Sequence, residues 1–215
     1  GMMLHLAAEE PGATVHHILR DGLIDGLLIS SVAVGSWVDE LFDSALPTVL
    51  IGTHPTRSDV LSVDVENREA AVGAVTHLFE QGCELVGCIA GPLDRADARD
   101  RLEGYRLAHA RAGRPVDEDL IAQGCFSRQS GLAAGAALFA KGVDGIFSSN
   151  DEMAVGAIWS GARAGVHVPD DVLIVGFDGT AVDEFIEPTL TTVVQPFDQL
   201  ARTAVDLLGR LVRGD

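Results

Sequence analysis

The side chains best placed to do chemistry in this sequence are one arginine and three polar residues at strand ends. Arg101 stands in IAGPLDRADARDRLEGYR, near the start of a helix that follows a strand, with Arg95, Arg99 and Arg106 close by. A guanidinium is a rigid fork of donors that fits paired oxygens, either those of a carboxylate or adjacent sugar hydroxyls. The plainer alternative is a surface ion pair with Asp97 or Asp100, worth little energetically, and spacing alone does not choose between them. Asn67, Asn150 and Asp178 each end a strand directly before a helix in this reading. Open α/β sheets bind ligands beyond the carboxyl ends of their strands, which makes these three the first candidates for a site. Asn and Asp are also preferred helix N-caps whatever the function, and position alone favours capping.

Other chemistries find no support. There is no GxxxxGKS phosphate loop, no GxGxxG opening the first helix and no GxSxG elbow. The histidines, His5, His16, His17, His54, His77, His109 and His167, are scattered, and neighbouring residues such as His16 and His17 point in different directions on a helix. A zinc site needs three or four converging ligands, so neither a metal nor a cofactor is expected. The acidic pairs Glu9-Glu10 and Asp170-Asp171 read as solvated turns. No nucleophile-base pair marks an enzyme.

The elements that must position these residues alternate along the chain. Short β-branched strands are expected at 4–7, 25–30, 48–52, 61–65, 84–91, 120–124, 145–149, 172–178 and 191–196, and helices at 14–21, 36–44, 66–81, 97–113, 128–141, 151–165 and 197–212. Strand and helix in alternation are the mark of a parallel sheet covered by helices. In the helix over 66–81, Ala70, Val72, Ala74, Val75, Leu78 and Phe79 form one apolar stripe, and Gly82 closes it.

Composition narrows the partners. The chain has 215 residues, with 15 Lys+Arg against 32 Asp+Glu and a formal net charge of -17. Nucleic-acid affinity rests on basic groups displacing counterions from phosphates, so this chain alone is not expected to bind DNA. No apolar run reaches the roughly 20 residues of a membrane-spanning helix, and the first residues carry no basic segment and long apolar core of a secretory signal. Cys83, Cys88 and Cys125 lack metal-ligand spacing and read as free thiols of a reducing cytoplasm. Cys83 and Cys88, beside a strand, read as small buried hydrophobes.

Five stretches, IAGP with RLEGY, IFSSNDEMAVGAI, GVHVPDDVLIVGFDGT and PTLTTVVQP, follow one another between Ile89 and Pro196 in a familiar order, within a similarity that runs from about Asp25 to the C-terminus. The series resembles the effector-binding core of lactose-repressor-type (LacI/GalR) transcription regulators. That resemblance implies a two-lobed, periplasmic-binding-protein-like α/β fold with parallel sheets flanked by helices in each lobe and the ligand in the cleft between lobes. The N-terminal lobe would comprise 1–65 and 196–215, and the C-terminal lobe 66–195. It further implies a small-molecule effector, a sugar or nucleoside-like molecule, a homodimer, no membrane partner, and DNA contact only through a separate N-terminal helix-turn-helix domain.

By the same resemblance Arg101 corresponds to the arginine that grips ligand oxygens, Asn150 and Asp178 to polar ligand contacts, Gln195 to a crossover residue near the ligand, and Phe126 to an aromatic ring against it. An arginine fork, an amide and a carboxylate can serve several hydroxyls while a ring covers a sugar's apolar face. Departures from the family pattern are Glu66-Asn67 in place of Asp-Asn, Gly179 in place of a second Asp, and Gly52, which offers no side chain where some sugar-binding members use a carboxylate. Against the family, 4–7 matches the second strand of the N-terminal lobe, so that lobe is expected to lack its first strand and helix, and the chain to stop before the closing strands. A stand-alone sugar-binding protein of a transport system is the alternative reading.

Overall fold

The computed structural model describes residues 24–30, 38–180 and 186–215; the strand expected at 4–7 and the helix at 14–21 lie outside them. The described chain forms two compact units, one from the residues up to Val65 together with Asp94–Ala96 and Pro196–Asp215, the other from Glu66–Leu93 and Asp97–Gln195. No helix among the described residues is long and apolar enough to cross a membrane.

The first unit contains β1 (Leu27–Ser30), α1 (Val38–Phe42), β2 (Thr48–Ile51), β3 (Ser62–Val63) and the last helix, α6 (Phe197–Arg213). Its strands run parallel in the order β1-β2-β3. Gly26 lies close against α6: a Cβ there would come within 2.8 Å of the Leu208 side chain and 3.1 Å of the Pro47 carbonyl. His54 is buried, and its Nδ1 accepts from the backbone N–H groups of Thr56 and Arg57. That arrangement puts the ring proton on Nε2, which faces Asp39 at 3.3 Å.

The second unit runs α2 (Asn67–Glu80), β4 (Val86–Ala90), α3 (Ala96–Arg111), a 3-10 turn (Glu118–Leu120), β5 (Ile121–Gln123), α4 (Arg128–Phe139), β6 (Gly145–Ser148), α5 (Asp151–Ala164), β7 (Leu173–Asp178) and β8 (Thr191–Val194). All neighbouring strands are parallel, in the order β5-β4-β6-β7-β8. Side chains alternate between the two faces, as a period of two requires. Val86, Cys88, Ala90, Phe147, Val175 and Phe177 pack with α2 and α3. Ile89, Ile146 and Ile174 pack with α4 and α5. With helices on both faces the strands read as unbroken apolar runs rather than alternating ones. Cys83 and Cys88 are buried free thiols, Cys83 donating to the Asp144 carbonyl at 3.4 Å, and burial pushes both up from their ordinary range.

Strand order fixes where a ligand site can form. The chain leaving β4 enters α3 on one face, whereas the chain leaving β6 enters α5 on the other. Neighbouring strands whose following helices diverge in this way open a crevice at their carboxyl ends. Gly91 and Ser149 stand at the two sides of that opening.

One buried histidine carries a prediction about acid sensitivity. His109 packs edge-on against Phe79, with centroids 5.0 Å apart, and tilted against Tyr105 at 4.6 Å. Burial pushes its pKa below the ordinary 6.5, with the charge of Arg114 acting in the same direction and the Pro115 carbonyl opposing. The fold therefore prefers the neutral ring, and the unfolded chain takes up a proton first. Stability is expected to fall as pH drops through about 6.5 toward the depressed native value and then to level off. His109→Leu should flatten that part of the profile, read as urea midpoints at about pH 7.5, 6.5 and 5.5.

Candidate functional site

The motif RLEGY is a positioning device for Arg101. Residues 101 and 105 lie one turn apart on the same face of α3. Tyr105, fully buried, donates its hydroxyl to the Val86 carbonyl at 2.8 Å and so ties α3 to β4. Gly104 lets the first turn of α2 come close, since a Cβ there would lie 2.4 Å from the Arg68 carbonyl oxygen. The turn drawn in by that glycine carries Asn67.

Arg101 is only 4% exposed. Its Nε donates to Asn67 Oδ1 at 2.9 Å, and its Nη1 donates to the Ser149 carbonyl at 2.7 Å and to Asp178 Oδ1 at 3.3 Å. The guanidinium carbon sits 3.8 Å from the centre of the Phe177 ring, a desolvated cation-π contact. These contacts exclude the surface-pair reading. Asp100 instead faces Arg68 at 3.6 Å, and Asp97 accepts from the Ala98 backbone.

Asp178 ends β7, and its Oδ1 also accepts from Gln195 Nε2 at 2.6 Å. Gln195 is tied a second time, its backbone N–H donating to the Asp178 carbonyl at 2.9 Å. Burial raises the Asp178 pKa above the ordinary carboxylate range, while the Arg101 charge and the Gln195 hydrogen bond oppose the shift. A half-buried carboxylate and a buried guanidinium, each held by a neutral amide partner, can exchange those bonds for several ligand hydroxyls.

Capping explains part of the strand-end pattern and not the rest. Asn150 does cap α5, accepting from the Met153 N–H at 3.0 Å, and its amide nitrogen donates to the Phe126 carbonyl at 3.3 Å. Asn67 is not a cap: it lies within the first turn of α2, and Glu66 at the cap position makes no side-chain cap bond. The α2 terminus thus leaves the Asn67 oxygen to Arg101. Asp178 caps no helix among the described residues and instead serves Arg101 and Gln195.

Phe126 lies over the end of β4, since a Cβ on Gly91 would fall 2.4 Å from its ring. Among the described non-glycine residues, the two with positive φ are Phe126 at 60° and Asp178 at 120°. Such conformations cost on the order of 1–3 kcal/mol each and persist where surrounding contacts hold them. Gly179, at φ 73°, has Val194 so near that a Cβ would lie 2.8 Å from its Cα. The close approach of β8 accounts for glycine at a position where an aspartate would not fit.

Two site residues escape a reading by motif. Asp151 is fully buried at the start of α5 and accepts from the Thr180 N–H at 2.9 Å and the Thr192 hydroxyl at 2.5 Å, pinning β8 and the turn after β7. Gly176 makes room for that carboxylate, a Cβ there falling 2.4 Å from its Oδ1. In sequence Asp151 resembles any acidic residue of a first helical turn. Ser149, whose carbonyl holds Arg101, looks like a spacer in IFSSND.

Comparison with known proteins places the whole arrangement. A family profile for the periplasmic binding protein-like domain matches residues 75–215. The HTH-type transcriptional repressor CytR of Escherichia coli (strain K12) is 35% identical over 194 residues, covering 86% of this chain and 55% of CytR. The structure of a transcriptional regulator CelR–cellobiose complex superposes with a TM-score of 0.88 at 32% identity, covering 94% of this chain and 64% of that one. A regulatory protein of the LacI family from Chloroflexus aggregans gives a TM-score of 0.85 at 27% identity, covering 95% and 74%. The chain therefore spans a little over half the length of its curated relative. It belongs to the periplasmic binding protein-like domain family, in the form carried by LacI-family transcriptional regulators.

Proposed function

We propose that the second unit receives a small polyhydroxylated effector, a sugar or nucleoside-like molecule, at the carboxyl ends of β4, β6 and β7. The chain is then the effector-binding and dimerisation core of a transcription regulator that reads DNA through a separate N-terminal helix-turn-helix domain. The observation that carries this reading is the Arg101 guanidinium, buried against Phe177 yet aimed at side-chain and backbone oxygens at strand ends. Arg101 and Asp178 would take ligand oxygens, Asn150 and Gln195 would add amide contacts, and Phe126 would cover an apolar face. The cellobiose of the CelR complex supports hydroxyls as the recognised groups, and an acidic chain at -17 supports a DNA-binding part elsewhere. No chemical step is assigned to the site.

A thermal-shift panel of D-ribose, D-glucose, cellobiose, adenosine and cytidine tests the reading. A true effector at a hundredfold excess over Kd stabilises the fold by about 2.7 kcal/mol. Failure of a broad panel of sugars and nucleosides to shift the transition would reject it. Light scattering at micromolar concentration is expected to give the mass of a dimer, and a clean monomer would remove the dimerisation part.

A further inference from the structure

Ser149 has a hydroxyl that the fold buries and leaves without a partner. The residue is 0% exposed, and its Oγ makes no hydrogen bond. Its backbone is fully committed: the N–H donates to the Ile89 carbonyl at 2.9 Å, and the carbonyl accepts from Arg101 Nη1 at 2.7 Å. Neighbouring Ser148 differs, since its hydroxyl donates to the Asn150 carbonyl at 2.8 Å. Two positions before Ser149, Phe147 packs on the α2 and α3 face. Alternation puts the Ser149 side chain on that same face, where Arg101 and Asn67 lie over the strand ends.

A buried hydroxyl without a partner destabilises a fold and calls for an explanation. We infer that Ser149 Oγ is a specificity-determining contact of this site, completed by a hydroxyl of the bound effector. This rests on the effector-binding reading and adds a residue to it. A hydroxyl both donates and accepts, so it suits an effector hydroxyl, itself both donor and acceptor, better than a charged group. The desolvation of Ser149 is already borne by the unliganded fold. Binding therefore gains the hydrogen bond without a further desolvation cost on the protein side.

This gives Ser149→Ala an unusual pair of effects. The unliganded variant is expected to melt at or above the wild-type temperature, because a buried unsatisfied group is gone. Its affinity should fall about tenfold or more, as loss of one such hydrogen bond implies. The test is calorimetric titration of wild type and S149A with the sugars and nucleosides of the thermal-shift panel, followed by the monodeoxy derivatives of whichever one binds. One derivative should bind both proteins equally, identifying the hydroxyl that meets Ser149. Wild-type binding with unchanged affinity in S149A overturns the Ser149 assignment and leaves the effector reading intact. A lower melting temperature for S149A with unchanged affinity makes Ser149 a packing residue and also overturns it. Absence of saturable binding by wild type across the sugars and nucleosides of the thermal-shift panel overturns both.

Discussion

Arg101→Ala is expected to lower the unfolding free energy by about 3 kcal/mol, the low end of what removing one partner of a buried charged pair costs. The low end applies because Asp178 keeps a fifth of its side chain exposed, whereas Arg101 keeps a twentieth. Truncation strands more than a charge. Asn67 Oδ1 and the Ser149 carbonyl lose a donor, and the Phe177 ring loses its guanidinium. Arg101→Lys should recover only part of the loss, since an ammonium cannot span Asn67, Ser149 and Asp178 or stack on a ring. Urea denaturation of the three proteins measures the series, and equal midpoints would show that the network contributes nothing to the fold.

The second large effect is expected at Gly156, where α4 and α5 touch backbone to backbone. A Cβ on Gly156 would lie 2.1 Å from the Arg128 carbonyl oxygen and 2.7 Å from the Leu132 nitrogen. Across the contact, a Cβ on Gly131 would lie 2.1 Å from the Met153 carbonyl oxygen. Backbone atoms cannot turn aside as a side chain can. Gly156→Ala should therefore push the helices apart and cost about 2–3 kcal/mol, the upper part of the overpacking range. Gly73→Ala is the matched control: it is exposed in the middle of α2 with nothing within 4 Å of its Cβ. That change should stabilise by about 0.5–1 kcal/mol through helix propensity alone. Thermal or urea unfolding of the two variants should thus move in opposite directions. The displacement at Gly156 also has a route to the site, because Asn150 caps α5 and α4 starts two residues after Phe126.

How much of this is legible in the sequence depends on the range of the interaction. Short unbroken apolar runs separated by helical stretches place β4 through β8 and their helices to within a few residues, since such patterns are local. The short strand expected at 120–124 is partly a 3-10 turn, set by Asp117 accepting from the Asp119 N–H. Motifs single out Arg101, Asp178 and Gln195, and the fold brings them into one hydrogen-bonded group. What keeps Arg101 ambiguous in sequence is burial, which no spacing reveals: Asp97 and Asp100 are nearer along the chain, but α3 turns Arg101 inward to a carboxylate 77 residues away. Asn67 reads as a cap because caps are common at that position. Its actual acceptor role depends on Gly104 admitting α2, a contact between two helices. Asp151 and Ser149 stay hidden because their signals lie with distant groups, Thr180, Thr192 and Gly176 for one and an unmet hydrogen bond for the other.

Effector recognition stands or falls on whether the strand ends of the second unit bind a hydroxylated molecule through Arg101. Calorimetric titration of wild type and Arg101→Lys with the best sugar or nucleoside of the panel decides this, at a temperature where both are folded. Wild type is expected to show saturable binding at one site per chain, and Arg101→Lys an affinity at least about a hundredfold weaker, as loss of a charge-assisted, forked contact implies. Equal affinities in the two proteins, or no saturable binding by wild type, would contradict it.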